Sequence, residues 1–274
     1  MKFASIGSGS RGNAMVIEAD GTRVLLDCGI NFKQLSAGMA RLDLDPAQLD
    51  AVLLTHEHGD HIKGLKSLLR KCDIPAYMTY GTALAADCLA LPQLRLLENF
   101  SSIQLGSLLV EPVAVPHDAR EPCQFVLTDV AAGSRLGVLT DLGSYTPHVV
   151  DAFSDCDALV LESNHDEQML REGPYPGSLK RRVLGEWGHL SNGQAQQLLA
   201  QCAGDRLQWL VVAHISQQNN TTELAMNALA QAWPRPERIV IAGQDFGFDW
   251  LSIDTSTSQH AAAFDEPLRT QALS

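Results

Sequence analysis

Apolar and polar positions along the chain fall into two successive blocks of the same kind. In the first, short apolar runs at residues 2–6, 14–18 and 22–26 are separated by glycine turns, and a fourth at 51–54 runs into a polar stretch. Runs of this length, bounded by turn-forming residues, predict the strands of a meander that opens a sheet. Residues 32–42, 62–71 and 80–89 repeat apolar side chains at helical spacing. The second block repeats the scheme, with strands predicted at 108–115, 124–127, 135–139, 158–161 and 209–213 and a helix at 192–202 opening after Ser191. Two β-rich blocks with helices between or after their strands predict two sheets packed face to face with helices outside. Residues 1–254 therefore read as one domain. Residues 255–274, rich in Ser, Thr, Ala and Gln and without periodicity, read as a loosely attached tail.

Composition narrows this picture. With 274 residues, 45% of them apolar and 19% charged, the chain can bury a large core. It contains no uninterrupted apolar run of about 18 residues, so no membrane span is expected. Residues 1–8 pass directly into a strand and a glycine turn without the apolar stretch of a secretory leader, which makes a cytoplasmic location the expectation. Six scattered cysteines with no CxxC pair read as reduced, buried thiols without a chemical role. A net charge of −12 argues against a broadly basic surface for polyanions. Lys180-Arg181-Arg182, the one tight basic run, reads as a solvated helix face.

The chemistry concentrates after the strand at 51–54. Thr55-His56-Glu57-His58-Gly59-Asp60-His61 places His56, His58, Asp60 and His61 on the turn leaving a buried strand and on the start of the next helix. A strand end fixes the first ligand and the turn lets alternate side chains converge, while mixed imidazole and carboxylate donors suit Zn, Mn or Fe. Three further candidates each follow an apolar run: His117, Asp141 and His214. Together these residues could fill two adjacent sites and leave room for water, the arrangement for attack on an ester or phosphodiester. His165 also follows a strand and competes with His214, but lies three residues beyond its strand; His148 and His260 lack such context and read as surface residues.

In His-x-His-x-Asp-His at 56–61 and the order of His117, Asp141 and His214, the chain resembles the metallo-β-lactamase superfamily. The resemblance implies an αββα sandwich of two mixed sheets flanked by helices. It also implies two divalent ions, zinc or manganese rather than iron. By analogy His56, His58 and His117 hold the first ion, and Asp60, His61 and His214 the second. Asp141 bridges them with a nucleophilic hydroxide, and Asp27 supports a ligand imidazole from behind. Aspartate stands at the bridging position, where β-lactam-hydrolysing members often carry cysteine, and this points to phosphoesters.

Trp187-Gly188-His189-Leu190-Ser191-Asn192, the segment 213–220 and the opening loop Gly7 to Asn13 are similar to the YycJ/WalJ-type group, which implies 5′-to-3′ exonuclease action on nucleic acid. His189 precedes His214 by 25 positions, as an extra histidine does in ribonuclease Z and in PhnP-type phosphodiesterases. It would protonate the leaving oxygen, with Glu162 orienting it. Asp60, His189 and Glu162 are thus the catalytic candidates. Ser8, Ser10, Arg11, Asn13 and Asn192 are the substrate-binding candidates, the loop residues as an anion nest for a terminal phosphate. The competing expectations are a thioester or lactone hydrolase, and a di-iron redox or non-catalytic metal-binding protein.

Overall fold

The computed structural model describes residues 1–254, so the expectations for the tail 255–274 and for His260 lie outside the described residues. In chain order the first strands are β1 (Lys2–Gly7), β2 (Ala14–Ala19), β3 (Thr22–Leu26), β4 (Ala51–Leu53), β5 (Ala76–Thr79) and β6 (Leu94–Leu97). They are followed by β7 (Ile103–Leu105), β8 (Leu108–Ala114), β9 (Cys123–Asp129), β10 (Arg135–Leu139), β11 (Ala158–Glu162), β12 (Trp209–Ala213), β13 (Ile239–Ile241) and β14 (Phe248–Ser252). The helices are α1 (Phe32–Arg41), α2 (Gly59–Ile62), α3 (Leu65–Leu69), α4 (Tyr80–Ala85), α5 (Pro147–Phe153), α6 (Glu167–Glu172), α7 (Gly177–Val183), α8 (Asn192–Cys202) and α9 (Thr222–Ala232). None among the described residues is long and apolar enough to cross a membrane.

Two seven-stranded sheets result, in the orders β14-β1-β2-β3-β4-β5-β6 and β13-β12-β11-β10-β9-β8-β7. Each is antiparallel at one end and parallel at the other, the change falling at β3 and β10. The alternation in the sequence explains the layering. Phe3, Ile17 and Leu53 of the first sheet meet Val110, Phe125, Leu127 and Val160 of the second in the core between them. The opposite faces bury Val16, Leu25 and Val52 under Leu35 and Met39 of α1, and Leu159, Leu161 and Val212 under Leu198 and Leu199 of α8. This is the expected αββα arrangement of two mixed sheets.

The differences are local. The helix expected at 62–71 divides into α2 and α3 because the Gly64 N–H leaves the helix to bond Cys28 O at 2.8 Å. All six cysteines are free and buried, and burial pushes the Cys28, Cys156 and Cys202 thiols up to about 12, where they stay protonated.

Candidate metal centre

β3, β4, β8, β10, β11 and β12 all end at one edge of the sandwich, and each delivers a site residue there: Asp27, His56, His117, Asp141, Glu162 and His214. Asp27, Asp141 and His214 leave their strands in left-handed backbone, with φ of 58°, 55° and 55°. Asp and His tolerate this region better than most residues, and the excursion turns the side chain off the strand path. The turn carrying His56 to His61 is strapped down by Asn13 N–H to Asp60 O (2.7 Å) and Cys28 N–H to His61 O (2.7 Å). Gly29 permits the approach, since a Cβ there would lie 1.6 Å from Asp60 O.

Two clusters form. His56, His58 and His117 bring one nitrogen each within 4.8 Å of the others, and a carboxylate oxygen of Asp60 and one nitrogen each of His61 and His214 come equally close together. Asp141 links them: its carboxylate comes within 4.8 Å of both His56 of the first cluster and His61 of the second, with Oδ2 3.1 Å from His61 Nε2 and Oδ1 3.2 Å from His214 Nδ1. Hydrogen bonds behind the rings select the atoms that face inward. His56 Nδ1 is held by Thr55 Oγ1 (2.9 Å), and His117 Nδ1 donates to Gly188 O (3.1 Å). His61 Nδ1 meets Asp27 Oδ2 (2.7 Å) and His214 Nδ1 meets Glu162 Oε1 (3.2 Å). His117 Nε2 is left facing His58 Nδ1 at 3.2 Å. His56 Nε2, His214 Nε2 and Asp141 Oδ2 are buried without a hydrogen bond. Buried polar atoms are rarely unpartnered, and those of one constellation all turned inward suit a divalent cation.

The electrostatics agree with this. Asp27, Asp141 and Glu162 are buried carboxylates, costly unless cations balance them. Burial opposes a charged imidazole at His214, but Asp141, Asp60 and Glu162 outweigh it and hold the ring at about 10. Burial likewise opposes charge on His61, and Asp141 and Asp27 raise it well above 6.5. His56 is pushed well below 6.5 by burial and by the His61 imidazole, which outweigh the Asp141 carboxylate. Protons thus neutralise the second cluster, a role that a bound divalent cation would take over by displacing them.

His189 and Glu162 lie beside Asp141. His189 Nδ1 donates to Glu162 Oε1 at 2.7 Å, while Glu162 Oε2 accepts the backbone N–H of Leu142 (3.2 Å) and Leu190 (3.3 Å). Burial works against a charged His189, and Glu162 and Asp141 more than offset it, raising its pKa above 6.5. His189 lines a cleft of about 400 Å³ with His58, Asp60, Asp141, His214, Ser10, Asn164, Tyr175 and Arg182.

Of the substrate-binding candidates only Ser10 reaches this cleft. The structure places the others outside it. Ser8 is buried, its Oγ accepting the His214 N–H at 3.0 Å, and buried Asn13 donates its amide to Gly9 O (3.3 Å) and Asp60 O (3.2 Å), with its Nδ2 3.0 Å from His61 Nε2. Asn192 is buried in a network with Ser163 (2.7 Å) and Asn220 (2.9 Å). Arg11 pairs with Asp245 (2.8 Å) over a neighbouring cavity of about 300 Å³. His165 belongs to neither cluster; it is buried with both ring nitrogens unpartnered. His148 is exposed and lies 5.0 Å from the Phe100 ring. Sequence reasoning missed Thr55, Asp118 and the cleft-facing position of Arg182. Thr55 and Asp118 each adjoin a histidine of the first cluster in the chain, a usable signal. Arg182 had only its basic run, read as a solvated face.

A family model described as a beta-lactamase superfamily domain matches residues 22–215. Exodeoxyribonuclease YycJ of Bacillus anthracis is 34% identical over 235 residues, covering 84% of this chain and 88% of that protein. Exodeoxyribonuclease WalJ of Streptococcus pneumoniae serotype 2 is 32% identical over 268 residues, covering 93% and 96%. Among solved structures, the metallo-beta-lactamase fold protein YhfI from Bacillus subtilis superposes with a TM-score of 0.71 at 16% identity, covering 92% of this chain and 99% of that one, a likeness of fold.

Proposed function

This chain belongs to the beta-lactamase superfamily, and on that premise we propose that residues 1–254 form a metal-dependent phosphodiesterase acting as an exonuclease on DNA. The observation that carries the reading is the pairing of two inward-facing ligand clusters across Asp141 with a carboxylate-held histidine in the same cleft. Both exodeoxyribonuclease relatives, similar along most of their length, support the substrate class. His56 Nε2, His58 Nδ1 and His117 Nε2 would hold one ion; Asp60, His61 Nε2 and His214 Nε2 would hold another, with Asp141 shared. Zinc and manganese suit these donors. Divalent ions held there supply Lewis acidity and make water nucleophilic at neutral pH.

The chain's own residues do the rest. Glu162 fixes the Nδ1–H tautomer of His189 and keeps the ring charged, so that Nε2–H can be given to the departing alkoxide. A DNA 3′-oxygen is a poor leaving group and needs that proton. Thr55, Asp27, Gly188 O and Glu162 hold the ligand rings in place behind the site. Thioester or lactone hydrolysis, and redox or purely binding roles, give the His189–Glu162 pair no part.

The test uses protein loaded with Mn or Zn, a 5′-phosphorylated oligonucleotide and bis-p-nitrophenyl phosphate. Both substrates are hydrolysed, and Asp60→Ala and Asp141→Ala abolish hydrolysis. Folded, metal-loaded protein that cleaves neither substrate refutes the reading.

A further inference from the structure

One wall of the cleft takes no part in the chemistry above. α7 presents Leu179, Arg182 and Val183 to it, the i, i+3 and i+4 positions of one helical face. Lys180 and Arg181 fan away from that face, Lys180 Nζ bonding Arg171 O at 2.6 Å. Among the described residues lining the cleft, Arg182 is the one with a permanent positive charge. It is parked on Asp118, whose Oδ1 lies 3.5 Å from His117 Nε2 and 3.9 Å from His58 Nε2. The guanidinium therefore stands at the mouth of the first cluster, and with its side chain 53% exposed it can exchange partners.

Beyond α7 the chain turns back tightly. A Cβ at Gly188 would lie 2.2 Å from Arg182 O, and Trp187 O accepts the Asp118 N–H at 2.9 Å. The backbone is pinned on both sides while Trp187 remains 61% exposed. An exposed indole on the anchored turn that follows the helix carrying the Arg182 guanidinium, on a protein of net charge −12, localises an attraction for an anionic strand that the rest of the surface opposes.

Resting on the phosphodiesterase reading, we propose that Arg182 and Trp187 form the subsite for a single-stranded DNA end: Arg182 leaves Asp118 for a backbone phosphate, and Trp187 stacks on a base. The guanidinium fork matches two phosphate oxygens, and an indole stacks on any base. A phosphodiester small enough to sit inside the cleft leaves Trp187 outside it; a strand passing over the rim reaches it.

Fluorescence anisotropy of a labelled single-stranded oligonucleotide with phosphorothioate terminal linkages, on metal-loaded protein across a salt series, tests this. Arg182→Ala weakens binding and reduces the slope of log affinity against log salt by about 0.7. Trp187→Ala weakens binding about tenfold with the slope unchanged, and Trp187→Phe recovers most of the loss. If Arg182→Ala and Trp187→Ala both bind like the wild type with the wild-type slope, the subsite lies elsewhere. Hydrolysis of bis-p-nitrophenyl phosphate by the wild type then shows that the phosphodiesterase reading survives. A wild type that hydrolyses neither this ester nor an ordinary oligonucleotide brings both down.

Discussion

Replacing Glu162 by Gln removes one charge from the middle of the site with hardly any change in volume. Glu162 is fully buried and uses both oxygens: Oε1 faces His189 Nδ1 (2.7 Å) and His214 Nδ1 (3.2 Å), and Oε2 accepts two backbone N–H groups. An amide cannot accept at both ends, so either the imidazoles or the backbone donors lose their acceptor. Burial works against the charged carboxyl, yet His189 outweighs it and sets the group at about 2 instead of 4.5. That displacement corresponds to about 3 kcal/mol of preference for the charged form. Because the folded value lies below the ordinary one, this contribution is present above pH 4.5 and is lost as pH falls toward 2. At neutral pH Glu162→Gln is therefore expected to lower Tm by roughly 6–12 °C.

Catalysis changes in a distinguishable way. Without the carboxylate, His189 is no longer held above 6.5, and the alkaline limb that requires the protonated ring moves to lower pH. Turnover of an oligonucleotide falls by about 10²–10³-fold. Turnover of bis-p-nitrophenyl phosphate falls far less, because the aryl oxide departs without a proton. The assay is kcat against pH on both substrates, with a thermal melt alongside. An unmoved alkaline limb, with both substrates slowed by the same factor, would refute proton donation by His189 and reduce Glu162 to a structural acid.

Asp141→Asn weakens the shared carboxylate between the clusters and should lower both metal content, read by mass spectrometry, and activity, the latter by at least about a hundredfold; full metal content would contradict its place. Removing metal with a chelator should lower Tm by roughly 5–10 °C, since ions at a hundred times their dissociation constant stabilise by about 2.7 kcal/mol; an unchanged melt would mean the inward-facing atoms bind nothing. Burial pushes His165 down to about 4, so the unfolded chain takes up a proton below 6.5 that the folded one refuses. Stability should fall as pH drops through that window, by up to about 3 kcal/mol, and His165→Phe should flatten the slope in urea unfolding; an identical slope in the variant would assign the effect to another group.

The metal turn was legible because its four donors lie within six residues of one another after a buried strand. His117, Asp141 and His214 were legible because each ends an apolar run at the same edge. The facing of the loop from Gly7 to Asn13 was not legible, because composition marks a polar loop without telling which side it faces. Ser8 and Asn13 turn inward and spend their polar atoms on His214 and Asp60. Asn192 stands just after the Ser191 cap of α8, where polar residues are common, and burial with Ser163 and Asn220 cannot be read from that position. Edge strands escaped as well: β6 exposes Arg95 and Leu96, and β14 pairs with β1 from the far end of the chain. Arg182 became significant only through Asp118, a partner distant in sequence.

The central claim is hydrolysis of a phosphodiester at a two-ion centre, and metal titration of metal-free protein tests it most directly. Manganese or zinc is added in steps, bound ions per chain are counted by mass spectrometry, and cleavage of a 5′-phosphorylated oligonucleotide is followed in the same samples. The account predicts that cleavage rises to a plateau at two ions per chain. A plateau at one ion, or full loading at two with the oligonucleotide intact, would contradict it.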